Sequence, residues 1–245
     1  MFRHDALLLV GHGSTSMADA ARPLLAHAEI IRQTGTFKEV GVGMLLGQPV
    51  AAAAFAALTS PLVFVVPFFL DDGYFTRIAI PELLLPLASG TRVIRFCQPV
   101  GSHDDIAALL DARLTAHCDT FDVDRKSLSV LLVGHGSAQN PGRARTMQRH
   151  ATTLDAGGRF GRVRIAYLEE PPFVADALAG ARGHLVAVIG YFANEGAHST
   201  VDLPTLILAE RAFRGANWPP VHDLGSIGSD PAMPRLIMDQ AAAAR

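Results

Sequence analysis

The 245-residue chain is short of cysteine, of net charge and of long apolar runs, and each shortage removes a class of protein. Two cysteines, Cys97 and Cys118, cannot make a disulfide framework or hold an iron–sulfur cluster by themselves, and they read as buried thiols. Lys and Arg number 21 against 23 Asp and Glu, a formal net charge of −2 without the basic excess that favours phosphate backbones, so no nucleic-acid partner is expected. Hydrophobic residues make up 49% of the chain, yet no apolar run approaches the roughly 18 to 20 residues of a membrane span, and no membrane association is expected. The start, Met1-Phe2-Arg3-His4-Asp5, meets an acid before a short apolar run, unlike a signal peptide, so the expected location is the cytoplasm.

What the chain does have is a phrase written twice. Val-Gly-His-Gly-Ser occurs at Val10–Ser14 and Val133–Ser137, and the offset from His12 to His135, 123, also relates Leu45 to Leu168, Pro49 to Pro172, Phe69 to Phe192 and Gly73 to Gly196. Such self-similarity marks a duplicated unit. Two domains are expected, 1–122 and 123–245, each of ordinary domain size. The copies differ in the residues able to bind a metal: Glu169 faces Leu46, His198 faces Phe75 and Asp202 faces Ala79.

Short apolar runs alternate with helix-like stretches, the pattern of a parallel sheet buried on both faces. Strands are predicted at Leu7–Val10, Glu39–Leu45, Leu62–Pro67 and Thr91–Phe96, and again at Ser129–Val133, Arg162–Leu168, Leu185–Ile189 and Val221–Leu224. Ala18–Arg32 predicts a helix whose apolar face carries Leu24, Leu25, Ala28 and Ile31, and His103–His117 a helix closing the first half. Asp119–Ser127 reads as a polar linker. The fold class is α/β, with two similar lobes, each a mainly parallel sheet flanked by helices, and a cleft expected between them.

Familiar readings of the glycine-rich turn fail on spacing. A dinucleotide fingerprint needs a third glycine where Ser16 and Gln139 stand, and no P-loop lysine follows. In both copies the serine follows the second glycine, which is not the nucleophile elbow. What remains is a histidine at the C-terminal end of the first strand of each half, where open α/β sheets present ligand-binding groups. His135 has companions: Glu169 ends the next strand and His198 follows the third, so all three converge on one rim. Two imidazoles and a carboxylate suit Co²⁺, Fe²⁺ or Zn²⁺ with positions left open. Glu170 and Glu195 are further acids nearby, although Glu195 matches Asp72 and so fits a turn role equally. His4, His27, His103, His117, His150, His184 and His222 receive no role, and Asn217–Pro220, with Trp218, reads as a turn.

Leu-Leu-Val-Gly-His-Gly-Ser (131–137), Ala-Tyr-Leu-Glu-Glu-Pro-Pro (166–172), Phe-Ala-Asn-Glu-Gly-Ala-His-Ser-Thr-Val-Asp-Leu-Pro (192–204) and Pro-Val-Gly-Ser-His (99–103) together resemble the class II tetrapyrrole chelatases that act on sirohydrochlorin, cobaltochelatases and ferrochelatases alike. The resemblance covers nearly the whole chain. It implies a chelatase-like fold and ATP-independent insertion of Co²⁺ or Fe²⁺ into sirohydrochlorin, in cobalamin or siroheme biosynthesis. The only metal it implies is the substrate ion itself, and the partners are that ion and a sirohydrochlorin-like tetrapyrrole. His135 and His198 would hold the metal, Glu169 would assist them as a ligand, as a general base or by neutralising charge, and Arg143, Arg145 and Arg149 would meet substrate carboxylates. Two-lobed relatives of this kind carry the histidine pair in the first half, whereas here Phe75 stands opposite His12. The working site is therefore expected in the second lobe, with His12 a relic or a cleft-lining group. A non-catalytic metal or tetrapyrrole carrier on the same fold is the alternative.

Overall fold

The computed structural model describes every residue except Met1, Ser16, Ser89, Thr91, 137–144, Arg182, Ala216 and Asn217, and omits the side chains of Ala18 and Asp19. Each repeat builds a four-stranded parallel sheet. The first contains β1 (Phe2–Gly13), β2 (Phe37–Leu46), β3 (Leu62–Pro67) and β4 (Val93–Phe96) in the order β2-β1-β3-β4. The second contains β5 (Leu128–Gly134), β6 (Arg162–Tyr167), β7 (Leu185–Gly190) and β8 (Val221–Ser226) in the order β6-β5-β7-β8. Parallel neighbours need crossovers, which α1 (Arg22–Gln33), α2 (Ala51–Ala57) and α3 (Ile80–Leu84) supply in the first repeat. In the second they are α5 (Arg145–Ala156), α6 (Val174–Ala179) and α7 (Leu203–Arg214). Helices cover both faces, so Ala6 through Val10 of β1 are wholly buried and read as one apolar run.

The registers repeat with the sequence. Ala6 lies opposite Glu39 and Val63, and Ser129, 123 residues on, lies opposite Arg162 and Val186. In this order the first strand of each sheet is flanked by the next two, which puts a switch point at its C-terminal end.

Compact units do not follow the repeat boundary expected at 122/123. One unit is Met1–His103 with Ser229–Arg245, the other Asp104–Gly228. The helix α4 (Ile106–Phe121), expected to close the first half, belongs to the second unit: Arg113 donates to the carbonyls of Leu224 and Ser226, and Arg159 pairs with Asp111. The C-terminal helix α8 (Met233–Ala243) belongs to the first, where buried Gln240 Nε2 donates to Pro99 O at 2.9 Å and Ser102 Oγ at 3.1 Å. An apolar stripe shows that a helix packs, and the sequence pattern leaves open against which sheet.

Smaller expectations also shift. Leu25 is 42% exposed, and the buried face of α1 is Pro23, Leu24, His27, Ala28 and Ile31. The supposed linker is partly helix, since α4 runs to Phe121 and stops at Asp122 in the left-handed region (φ 51°). His27 and His150 are both buried at positions 123 apart, facing Phe68 and Tyr191 with ring centroids 5.6 and 6.4 Å away, so they are a repeated packing feature. Both cysteines are free and buried, and burial alone pushes the Cys97 thiol up to about 12.

One local anchor of the first unit is electrostatic. Glu39 on β2 accepts from the backbone N–H groups of Thr59 (2.9 Å) and Ser60 (2.8 Å) and from both hydroxyls. Burial by itself would raise its pKa, but the hydrogen bonds from Ser60 and Thr59 outweigh it and hold the carboxyl at about 2 against an ordinary 4.5. A carboxyl depressed on folding contributes stability above its unfolded value and loses it as pH falls through the folded value. Glu39→Gln is therefore expected to destabilise the chain by about 1–2 kcal/mol near neutrality. Denaturant titrations of both proteins should show that gap shrinking as pH falls from about 4.5 towards 2.

Candidate metal centre

His135 is the first residue beyond β5, held there by the pairing of β5 with β6 continuing past both strands. Leu168 N–H donates to Gly134 O at 3.1 Å and Glu169 N–H to His135 O at 3.0 Å, so the imidazole and the carboxylate leave adjacent strand ends together. Gly136 makes the turn at φ +75°, and a Cβ there would come within 2.8 Å of Glu170 Cγ. The buried Glu170 thus packs beneath the turn.

The third group arrives from beyond β7, on the π-helical turn His198–Asp202 that runs into α7. Gly196 N–H donates to Ser199 Oγ at 3.1 Å, which anchors the start of that turn. The first unit repeats the device at Phe75–Ala79, where Gly73 N–H donates to Thr76 Oγ1 at 2.8 Å. There Asp72, the counterpart of Glu195, accepts from Thr76 and pairs with Arg77, whose guanidinium holds its carboxyl below the usual range. That is a turn role. The backbone is shared by both repeats, and the side chains on it carry the difference.

In the second unit the rings of His135 and His198 meet edge-on, 4.3 Å apart, with their Nε2 atoms 2.9 Å from each other. Glu169 Oε1 lies 3.6 Å from His135 Nε2. The outer nitrogens are engaged: His198 Nδ1 faces Asp202 Oδ2 at 2.7 Å and His135 Nδ1 faces Gly136 O at 3.0 Å. A carboxylate and a carbonyl only accept, so both Nδ1 atoms carry hydrogen, and each ring in its neutral form turns its Nε2 lone pair inward. Facing lone pairs repel unless a cation, a shared proton or a metal ion, lies between them. With metal–nitrogen bonds of about 2.0–2.1 Å, this separation fits one ion at a ligand angle near about 90°.

Asp202 thus orients His198, a role the sequence reading did not assign it; its signal was the four-residue spacing from His198 on a helical turn. Among the described residues no group of three or more His, Cys, Asp or Glu side chains is placed to hold a metal ion. The arrangement offers two converging imidazoles with a carboxylate alongside and leaves the remaining coordination open. His135, Glu169, His198 and Asp202 are all roughly half exposed. Beside them a pocket of about 440 Å³ is lined by Leu168, Glu169, His198, Val201, Asp202 and Leu206, mixed apolar and polar walls in the size range of small-molecule sites.

His12 occupies the matching place in the first unit, and there Phe75 meets its ring at 4.7 Å. Its Nδ1 is buried without a partner among the described residues, and burial lowers its pKa. Of the three arginines, Arg145 is exposed at the start of α5, Arg149 lies 3.4 Å from Asp104, and Arg143 falls outside the described residues. Trp218, read as part of a turn, packs on the second core.

A probable sirohydrochlorin cobaltochelatase of Halobacterium salinarum is 28% identical over 97% of this chain and 91% of its own length. A multi-domain Deinococcus radiodurans protein with structural similarity to chelatases superposes with a TM-score of 0.84 at 26% identity; the chain covers 98% of itself and 55% of that protein. The sirohydrochlorin chelatase SirB of Bacillus subtilis, solved with cobalt, shares the fold at a TM-score of 0.76 and 19% identity over 98% of this chain and 94% of SirB. The CbiX family model matches twice, over residues 6–117 and 129–244, once for each repeat, and the chain belongs to the CbiX family.

Proposed function

We propose that this chain inserts a divalent metal ion, Co²⁺ or Fe²⁺, into sirohydrochlorin without ATP, using the rim of its second repeat. The observation that carries the reading is the pair of inward Nε2 atoms 2.9 Å apart with Glu169 beside them. The names of the relatives favour it: one is a probable sirohydrochlorin cobaltochelatase, and SirB has been solved with cobalt and with Fe³⁺.

Insertion exchanges one M²⁺ for two pyrrole N–H protons. The ion must be held firmly enough to shed water and loosely enough to leave. Two imidazoles with open positions meet that need better than a closed four-ligand cage, because the ring nitrogens can enter the coordination sphere before the protein ligands depart. Glu169 is placed to take a proton from the macrocycle, and the imidazoles can take the second once the ion has gone. Asp202 keeps the His198 lone pair turned inward throughout. Arg145, exposed at the start of α5, would meet the polycarboxylate. A carrier that delivers metal or tetrapyrrole is the second reading, favoured by the incomplete cage; it yields at most one equivalent of metallated product, whereas a chelatase at catalytic concentration yields many.

His135→Ala and His198→Ala are each expected to lower metal insertion by about 10² or more with folding intact, while His12→Ala, which removes an imidazole already faced by Phe75, leaves turnover near that of the unaltered chain. Initial rates across a Co²⁺ or Fe²⁺ series decide this, and a His12→Ala defect larger than that of His135→Ala would move the site to the first repeat. Glu169→Gln should slow turnover by about 10² while tetrapyrrole binding, followed by absorbance titration, is retained. Asp202→Asn frees the His198 tautomer and should weaken Co²⁺ binding by about 10–100-fold, measured by metal titration without tetrapyrrole.

A further inference from the structure

The second unit has a cationic pocket at the opposite ends of its strands from the histidines. It holds about 190 Å³, several times the roughly 30 Å³ share of one water, and its walls include Lys126, Ser127, Ser129, Arg162 and Arg164. Among the described residues no carboxylate lines it. Ser129 is the second residue of β5 and Arg162 opens β6, whereas His135 and Glu169 follow their ends, so some six residues of strand, about 20 Å, separate the two places.

The first repeat shows what this position does when it is filled from within. Arg162 is the counterpart of Glu39: each lies across the ladder from the equivalent residue, Ser129 or Ala6. In the first unit the Glu39 carboxylate is gripped by the N–H groups of Thr59 and Ser60 and by their hydroxyls. In the second repeat Gly183 replaces Ser60, and Arg162 replaces the carboxylate itself. Two more replacements add charge and space. Arg164 stands where the first repeat has Gly41, and Gly180 where it has Ala57; a Cβ on Gly180 would lie 2.9 Å from Arg164 Nη1, so the missing methyl leaves room for the guanidinium. An internal anion has been exchanged for a ring of cations around an open space.

We infer that the second unit binds a small phosphate-class oxyanion between Lys126, Arg162 and Arg164, in the position that the Glu39 carboxylate holds in the first unit. Two guanidinium forks and an ammonium match the tetrahedral oxygens of a phosphate, and Ser127 and Ser129 add hydroxyls to the wall. The ligand is free phosphate or the phosphoryl group of a small molecule such as a nucleotide. This site is independent of the metal-insertion reading.

Calorimetric titration of the full chain with inorganic phosphate, at constant ionic strength made up with chloride, tests it. Saturable binding is expected, weakened by about tenfold or more in Arg162→Glu, which restores the first repeat's own carboxylate, and also weakened in Arg164→Ala. Arg162→Gln provides the same readout should the charge reversal fail to fold. A parallel titration with AMP separates the sources: AMP competing with phosphate at similar affinity admits a phosphoryl group, and phosphate alone binding assigns the free ion. Absence of saturable phosphate binding, or binding equal in all variants, overturns the inference.

Discussion

Two imidazole nitrogens held 2.9 Å apart with their lone pairs facing are the constraint around which the second rim is organised. Neither ring is free to turn away, because each has given its other N–H to a fixed acceptor, Gly136 O on one side and Asp202 on the other. That arrangement is tolerable only with positive charge between the nitrogens. The rest of the unit supplies the geometry: the strand order sets β5 between β6 and β7, the extended β5–β6 pairing carries Glu169 out beside His135, and the π-turn after β7 swings His198 back over them.

The duplication offers an internal control. The first unit keeps the strand order, the hydroxyl-anchored π-turn and the histidine, yet it replaces His198 by Phe75, Asp202 by Ala79 and Glu169 by Leu46. The result is an imidazole against an aromatic ring, its Nδ1 buried and its protonated form disfavoured by burial. Scaffold and chemistry are separable here, since the same backbone carries a polar cluster in one copy and an apolar one in the other.

Much of this was legible in the sequence because the strands are continuous apolar runs and the duplication supplied two readings of each element. All eight strands overlap the predicted runs, although β1 extends to Phe2–Gly13 beyond Leu7–Val10, and His135, Glu169 and His198 meet because they end or follow three strands that turn out to be neighbours. The illegible parts have physical reasons. Leu25 matches the apolar spacing of α1 yet faces outward, because five neighbours already fill that helix's buried face. The role of Asp202 needed the π-turn, which no residue pattern announced. Of the arginines grouped by sequence, Arg149 has Asp104 for a partner, which the spacing of the arginines did not indicate.

The exchange of α4 and α8 between the units bears on how the chain is made. The unit spanning Asp104–Gly228 is continuous, whereas the unit bearing β1 waits for Ser229–Arg245, which is translated after it. Domains generally fold as units in the order they emerge. Here the unit begun first is finished last, and until then the surface that α8 covers is open. A cut at the repeat boundary would leave α4 with the wrong half and strip α8 from the sheet it seals, so the repeat visible in the sequence and the compact unit of the fold are different stretches of chain.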